Sequence, residues 1–291
     1  MFNNIKRIYW ILVFGLFAAS CKKSAPGPIV YDASKQQNIM NVAYGSDPAQ
    51  TMDVYLPPGR STSTTKVIVM VHGGSWDGGD KTDFNSAVVT LEAKLPGYAF
   101  FNINYRLAAG NKNNYPAAVN DVASAVAYIN TRSADFDVTT QKLVLAGASA
   151  GAHLAMLEAY NNNASGNVKA VVDLFGPVDL HWLFFDYPFP QLSQPVLINF
   201  MGVSAVGDSS LYAQASPINY ISATSPPTII FHGTSDDIVP IDESVRLQAK
   251  LQSFNVPNSF IIYQGEGHGW TDANLSDTYN KIADFLNQYV N

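Results

Sequence analysis

The stretch Lys142-Leu-Val-Leu-Ala-Gly-Ala-Ser-Ala-Gly-Ala-His153 decides the fold. A short apolar run stops at Gly147, Ser149 stands between two glycines, and the chain restarts as an alanine-rich segment suited to a helix. A serine on so sharp a strand-to-helix turn occupies strained backbone that only small neighbours tolerate, and Gly147 and Gly151 are such neighbours. The pattern predicts a nucleophile elbow, with the hydroxyl exposed at a strand end and the first amide of a helix close by. G-x-S-x-G alone fixes three positions and arises by chance; the strand before it and the helix after it give it weight.

The flanking sequence alternates in the same sense. Continuous apolar runs at 67–71, 99–103, 143–146 and 168–175 read as buried parallel strands, and 228–231 and 259–263 add two more. Residues 39–44 and 52–56 read as an opening hairpin ended by Pro57 and Pro58. Helical stretches are expected at 116–131, started by Pro116, and at 150–160, 244–254 and 276–289. This order predicts an α/β protein with a mostly parallel, eight-stranded central sheet flanked by helices.

Residues 181–220 break the alternation. They carry Trp182, Phe184, Phe185, Tyr187 and Phe189, with Pro188, Pro190 and Pro195 expected to interrupt any long helix. An insertion this aromatic either caps an apolar cleft or packs with no substrate contact. The capping reading assigns Trp182, Phe184 and Phe185, together with Trp76, to substrate binding.

Composition bounds the rest. A chain of 291 residues, 47% hydrophobic and 14% charged, suits one large catalytic domain over 38–291. The net charge of −6 comes without any charged block, and no Lys/Arg cluster interleaves with aromatics, so nucleic acid is not an expected partner. No zinc-type Cys/His spacing implies a metal. At the N-terminus, Lys6 and Arg7 precede apolar residues 8–19, too short and too early for a comfortable membrane span, so 1–20 reads as an export signal. Cys21, the sole cysteine, excludes an internal disulfide; preceded by Ala18-Ala-Ser20, it resembles the lipidated cysteine of a bacterial lipobox. The expectation is a lipid anchor to a bacterial membrane, facing the periplasm or cell surface. Residues 21–37, with Pro26, Gly27 and Pro28, read as the tether.

A serine hydroxyl is a weak nucleophile at neutral pH and needs a histidine to take its proton and a carboxylate to orient that histidine. His268, in the glycine-rich segment Gln264-Gly-Glu-Gly-His-Gly-Trp270 after the last core strand, is the expected base. His153, four residues past Ser149, is expected one turn down the helix and directed into packing, while His232 ends a strand and serves its turn. The acid is read from Phe231-His-Gly-Thr-Ser-Asp-Asp-Ile-Val-Pro240, with Asp236 chosen over Asp237. Val71-His-Gly-Gly-Ser-Trp76 follows a core strand, and the amides of Gly74, Ser75 and Ala150 are the expected oxyanion donors.

A set of motifs carries a family resemblance. It comprises Met52-Asp-Val-Tyr-Leu-Pro57, His72-Gly-Gly-Ser-Trp76, Asn104-Tyr-Arg-Leu107, Tyr115-Pro-Ala-Ala118 leading to Asp121, and Gly147-Ala-Ser-Ala-Gly151. Further along come Ser216-Pro-Ile-Asn219, His232-Gly-Thr-Ser-Asp236 and Gly267-His-Gly269. Together they resemble the serine α/β-hydrolases of the hormone-sensitive-lipase-like esterases, in particular the bacterial BD-FAE-like branch of feruloyl and acetylxylan esterases. Ser75 stands where many relatives have a third glycine, and Ala152 where many have glycine. The resemblance implies an α/β-hydrolase fold and cofactor-free hydrolysis of carboxylic esters through an acyl-enzyme on Ser149. It implies small-molecule or carbohydrate-linked esters of short acyl groups or aromatic acids as substrates. A related branch with a similar loop hydrolyses arylformamides, and some members of the fold are binding proteins that lack a triad member; here all three are present.

Overall fold

The computed structural model describes residues 31–290. The expected export signal over 1–20, Cys21 and most of the tether lie outside the described residues.

The sheet forms from β1 (Gln37–Ala43), β2 (Thr51–Leu56), β3 (Lys66–Val71), β4 (Tyr98–Ile103), β5 (Leu143–Ala148), β6 (Val168–Leu174), β7 (Thr228–Gly233) and β8 (Asn258–Tyr263). Their order is β1-β2-β4-β3-β5-β6-β7-β8. β2 runs antiparallel to both its neighbours, β1 and β4, and the pairings from β4 to β8 are parallel. The hairpin and the six apolar runs thus become the expected eight strands, within a few residues at each end.

The helices are α1 (Asn85–Lys94), α2 (Ala117–Thr131), the single turn α3 (Ser133–Phe136), α4 (Ala150–Asn161), α5 (Leu180–Phe185), α6 (Pro190–Met201), α7 (Ser209–Gln214), α8 (Asp242–Ser253) and α9 (Asp272–Tyr289). α2, α4 and α8 bury their apolar residues on one face of the sheet, and α1 and α9 on the other. The central strands are therefore covered on both sides, which is why they read as unbroken apolar runs. α1 has no counterpart among the expected helices: only Ala87, Val88 and Leu91 of it are buried, a stripe too narrow to register as a period.

The insertion between β6 and β7 is helical, a correction to the expectation that its prolines prevent a long helix. α6 runs for twelve residues. Pro190 occupies its first turn, where no intrahelical N–H bond is lost, and Pro195, inside the helix, forfeits only its own N–H while the helix continues past it.

Register positions the site. Val71 pairs with Gly147, Ala148 with Leu174, Leu174 with Phe231, and Gly233 with Tyr263. The carboxyl ends of β3, β5, β6, β7 and β8 therefore finish side by side, and the loops leaving them face one crevice, the usual place for a site in an open α/β sheet.

Candidate active site

Ser149 follows β5 and caps α4 with φ 52° and ψ −124°, a strained conformation for a residue with a Cβ. The surroundings enforce it. A Cβ on Gly147 would come within 2.4 Å of Gly151 backbone, and one on Gly151 within 2.0 Å of the Val71 carbonyl oxygen. Ser149 N–H donates to the Leu174 carbonyl at 2.8 Å, and the Ser149 carbonyl accepts the His153 amide at 3.1 Å, so the residue is fixed to a neighbouring strand and to α4.

The histidine arrives on the loop after β8. A Cβ on Gly233 would meet the Glu266 carbonyl oxygen at 2.3 Å, so that glycine lets this loop lie directly on the end of β7. Ser235 N–H donates to the Glu266 carbonyl and Gly265 N–H to the Thr234 hydroxyl, each at 2.8 Å. These bonds lace the acid loop to the histidine loop. His268 consequently places Nε2 2.9 Å from Ser149 Oγ and Nδ1 2.7 Å from Asp236 Oδ2. With Nδ1–H donating to the carboxylate, Nε2 is left to accept the serine proton, the tautomer a general base requires.

Asp236 is the residue that meets His268; Asp237 turns toward the cleft wall. The Asp236 side chain is buried, and its Oδ1 accepts the Ile238 and Val239 amides, each at 2.9 Å. Its Oδ2 also lies 3.2 Å from His232 Nε2. Burial pushes the carboxyl upward, but the hydrogen bonds from His232 and His268 and the proximity of His268 outweigh it and hold Asp236 well below the usual carboxylate range. His232 thus does more than serve a turn. Its Nδ1 bonds the Ser244 hydroxyl at 2.7 Å and its Nε2 the Val239 carbonyl at 2.9 Å, so it braces the acid from behind.

The loop after β3 approaches the same point. Gly74 has φ 111°, Ser75 φ 54° and Trp76 φ 62°, so Ser75 takes the left-handed backbone that glycine adopts more readily. The amides of Gly74 and Ser75 donate to no other group among the described residues, and that of Ala150 opens α4 without an intrahelical acceptor. Ser75 and Ala150 border the cleft beside Ser149; Gly74 lies one residue behind. The loop is anchored by polar bonds at its far end. Asn104 takes the Lys81 amide at 2.6 Å and donates to Asp80 at 2.7 Å, and buried Lys81 pairs with Asp53 at 3.0 Å.

A cavity of about 190 Å³ opens over Ser149, with Trp76 and Pro177 on its wall. The insertion reaches it through Leu183 of α5 and Leu192, Ser193, Val196 and Leu197 of α6. Trp182, Phe184 and Phe185, expected to line the cleft, do not. Phe184 is buried against Tyr212 and Phe185, Phe185 is largely exposed, and Trp182 lies under Arg246, 4.3 Å from the guanidinium. α5 is only six residues long and sends one residue, Leu183, to the cleft; α6, which the prolines made hard to foresee, supplies the other four residues that the insertion places there. Of the four expected substrate contacts Trp76 alone lines the cavity. Phe175 is a further neighbour with no motif to announce it: its ring lies 4.6 Å from His268 and 5.4 Å from Trp270.

The chain is similar to several known proteins. The chain is 27% identical over 267 residues to esterase LipC of Mycobacterium tuberculosis, covering 85% of this chain and 64% of LipC. It is 26% identical over 271 residues to isoprenylcysteine alpha-carbonyl methylesterase ICME of Arabidopsis thaliana, covering 85% of this chain and 59% of that protein. The chain thus spans about three-fifths of the length of these relatives. Among solved structures it resembles a bifunctional GH43-CE protein of Bacteroides eggerthii, with a TM-score of 0.76 and 25% identity over 86% of this chain and 38% of that one. A truncated carbohydrate esterase from gut microbiota has a TM-score of 0.72 and 24% identity, covering 89% of this chain and 98% of that one. The fold is that of the α/β-hydrolases. The BD-FAE family model matches residues 52–251, a span that holds the loop after β3, the Ser149 turn and the loop after β7, and the chain belongs to the BD-FAE family.

Proposed function

We propose that this protein hydrolyses carboxylic esters through an acyl-enzyme on Ser149. The observation that carries the reading is the continuous relay from Ser149 Oγ through His268 to Asp236 at the floor of an apolar cleft. Ser149 Oγ attacks the ester carbonyl while its proton passes to His268 Nε2. The tetrahedral oxyanion is held by backbone amides, assigned to Gly74, Ser75 and Ala150. His268 returns the proton to the departing alcohol as the carbonyl re-forms. Water then repeats the sequence on the acyl-enzyme, with His268 as base, and frees the acid and Ser149. Asp236 keeps its negative charge throughout and stabilises the imidazolium.

The cleft's size and its mostly apolar wall favour short acyl groups or an aromatic acid, and the carbohydrate-esterase title of one structural neighbour favours a sugar-linked alcohol. Export and lipid anchoring at Cys21 belong to the same reading and rest on the sequence around residues 6–21. A panel of nitrophenyl esters with acetylated xylan and methyl ferulate tests the activity. Ser149→Ala should lower turnover on the order of 10³-fold or more while the protein stays folded. Near-wild-type hydrolysis by that variant would refute the mechanism.

A further inference from the structure

His153 takes no part in the relay from Ser149, yet it is fully buried and both its ring nitrogens are engaged. Its Nε2 lies 2.7 Å from the Ala215 carbonyl oxygen, and its Nδ1 lies 3.2 Å from Nε1 of Trp76. A carbonyl only accepts and an indole N–H only donates. One arrangement satisfies both: Nε2 carries the proton and donates to Ala215, and bare Nδ1 accepts from Trp76. The doubly protonated ring offers the indole no lone pair. Burial, opposed by the bond to Ala215, brings the His153 pKa down to about 4, so the ring is neutral at physiological pH.

The three partners come from three parts of the chain. His153 sits on α4, one turn from Ser149; Trp76 belongs to the loop after β3; Ala215 caps α7 in the insertion. Trp76 is held on its other face by Phe200 of α6, stacked with ring centroids 4.4 Å apart, while His153 meets the indole edge-on at 5.1 Å. The indole lines the cavity over Ser149. Moving it changes the space open to a substrate.

We propose that His153 is a positioning residue: its bare Nδ1 holds the Trp76 indole in the cleft wall and thereby tunes substrate size selection, while its Nε2–H ties the insertion to α4. The proposal rests on the ester-hydrolase reading for its substrate, but the hydrogen-bonded tie has a readout of its own.

Two substitutions separate the two bonds. In His153→Asn the side-chain oxygen falls near the Nδ1 position and keeps an acceptor for Trp76; in His153→Gln the longer amide keeps a donor for Ala215 and loses that acceptor. Trp76→Phe keeps an aromatic ring and removes the N–H. The ratio of kcat/KM for the acetyl to the octanoyl nitrophenyl ester should change at least threefold in His153→Gln and in Trp76→Phe, in the same direction. It should stay within twofold of wild type in His153→Asn, and His153→Gln should add nothing on top of Trp76→Phe. Should His153→Gln not fold, Trp76→Phe and His153→Asn decide the matter by the same criteria. Independently, 15N shifts of the labelled imidazole should show Nε2 protonated and Nδ1 bare in the wild type. An Nδ1–H tautomer, equal effects of the Asn and Gln substitutions, or an unchanged ratio in Trp76→Phe would overturn the proposal. Absence of ester turnover in the wild type would instead strike the function above, and the tautomer measurement would still judge the tie.

Discussion

Gly151 and Val71 touch. The Cα of Gly151 lies so close to the Val71 carbonyl that an added Cβ would sit 2.0 Å from its oxygen, which joins the first turn of α4 to the end of β3 and the loop that leaves it. The two halves of the candidate site are thus set by one backbone contact, and neither can shift without the other.

Gly151→Ala should therefore disturb both at once. The obstacle is backbone and cannot rotate away, so relief requires moving α4 or β3, a cost of about 1–3 kcal/mol for overpacking of this kind. A lower melting temperature and at least a tenfold fall in ester turnover are expected. Gly97→Ala is the control, because nothing lies within 4 Å of its added Cβ and its backbone is not left-handed. Equal effects at the two glycines would remove the argument.

The adjacent acids should separate cleanly. Asp236 is the acid that reaches His268, so Asp236→Asn is expected to cut kcat by roughly 10⁴-fold through loss of the productive tautomer, with some loss of stability because the bonds around it favour the carboxylate. Asp237→Asn should cost less than about tenfold. Steady-state kinetics with one chromogenic ester decides it, and an inactive Asp237 variant beside an active Asp236 variant would overturn the assignment.

Asp173 should make stability depend on pH. It is buried beneath the site, its Oδ1 accepts the Gly176 amide at 2.8 Å, and its Oδ2 has no hydrogen-bond partner among the described residues. Burial, only partly offset by that amide and by His232, raises its pKa to about 7. The unfolded value is about 4, so between these two pH values the native state holds the extra proton and stability falls as pH rises. Asp173→Asn removes that fall, worth on the order of a few kcal/mol. The melting temperature of the variant relative to wild type should be higher at pH 8 than at pH 5; equal differences at the two pH values would rule the effect out.

Size selection should respond to α6 and not to the aromatic residues of α5. Leu197→Ala enlarges the cleft and should shift the short-to-long ester preference by roughly 1–3 kcal/mol, as an apolar pocket contact does. Trp182→Ala removes the surface on which Arg246 rests and should lower the melting temperature while leaving the preference unchanged. A shift in preference with Trp182→Ala alone would restore the original reading of the insertion.

The sequence by itself determined the sheet, the elbow and the order of the three candidate residues, because each is written in local chemistry. Doubly buried strands must be continuously apolar, a strained serine must have glycine beside it, and strand ends followed by glycine-rich loops are where a sheet can present side chains. The structure likewise brings Asp236, the acid preferred from the sequence, and not Asp237, to His268. Only the tertiary structure decided which side chains face the cleft. Trp182, Phe184 and Phe185 are as aromatic as any substrate contact, but a six-residue helix sends only Leu183 inward, and that direction depends on how α5 and α6 pack together. The same holds for His232 behind Asp236 and for His153 beneath Trp76. The partners of His153 lie 62 and 77 residues away in the chain and are brought within hydrogen-bonding distance by strand register and helix packing, while His232 meets Asp236, four residues on, through the shape of the loop after β7.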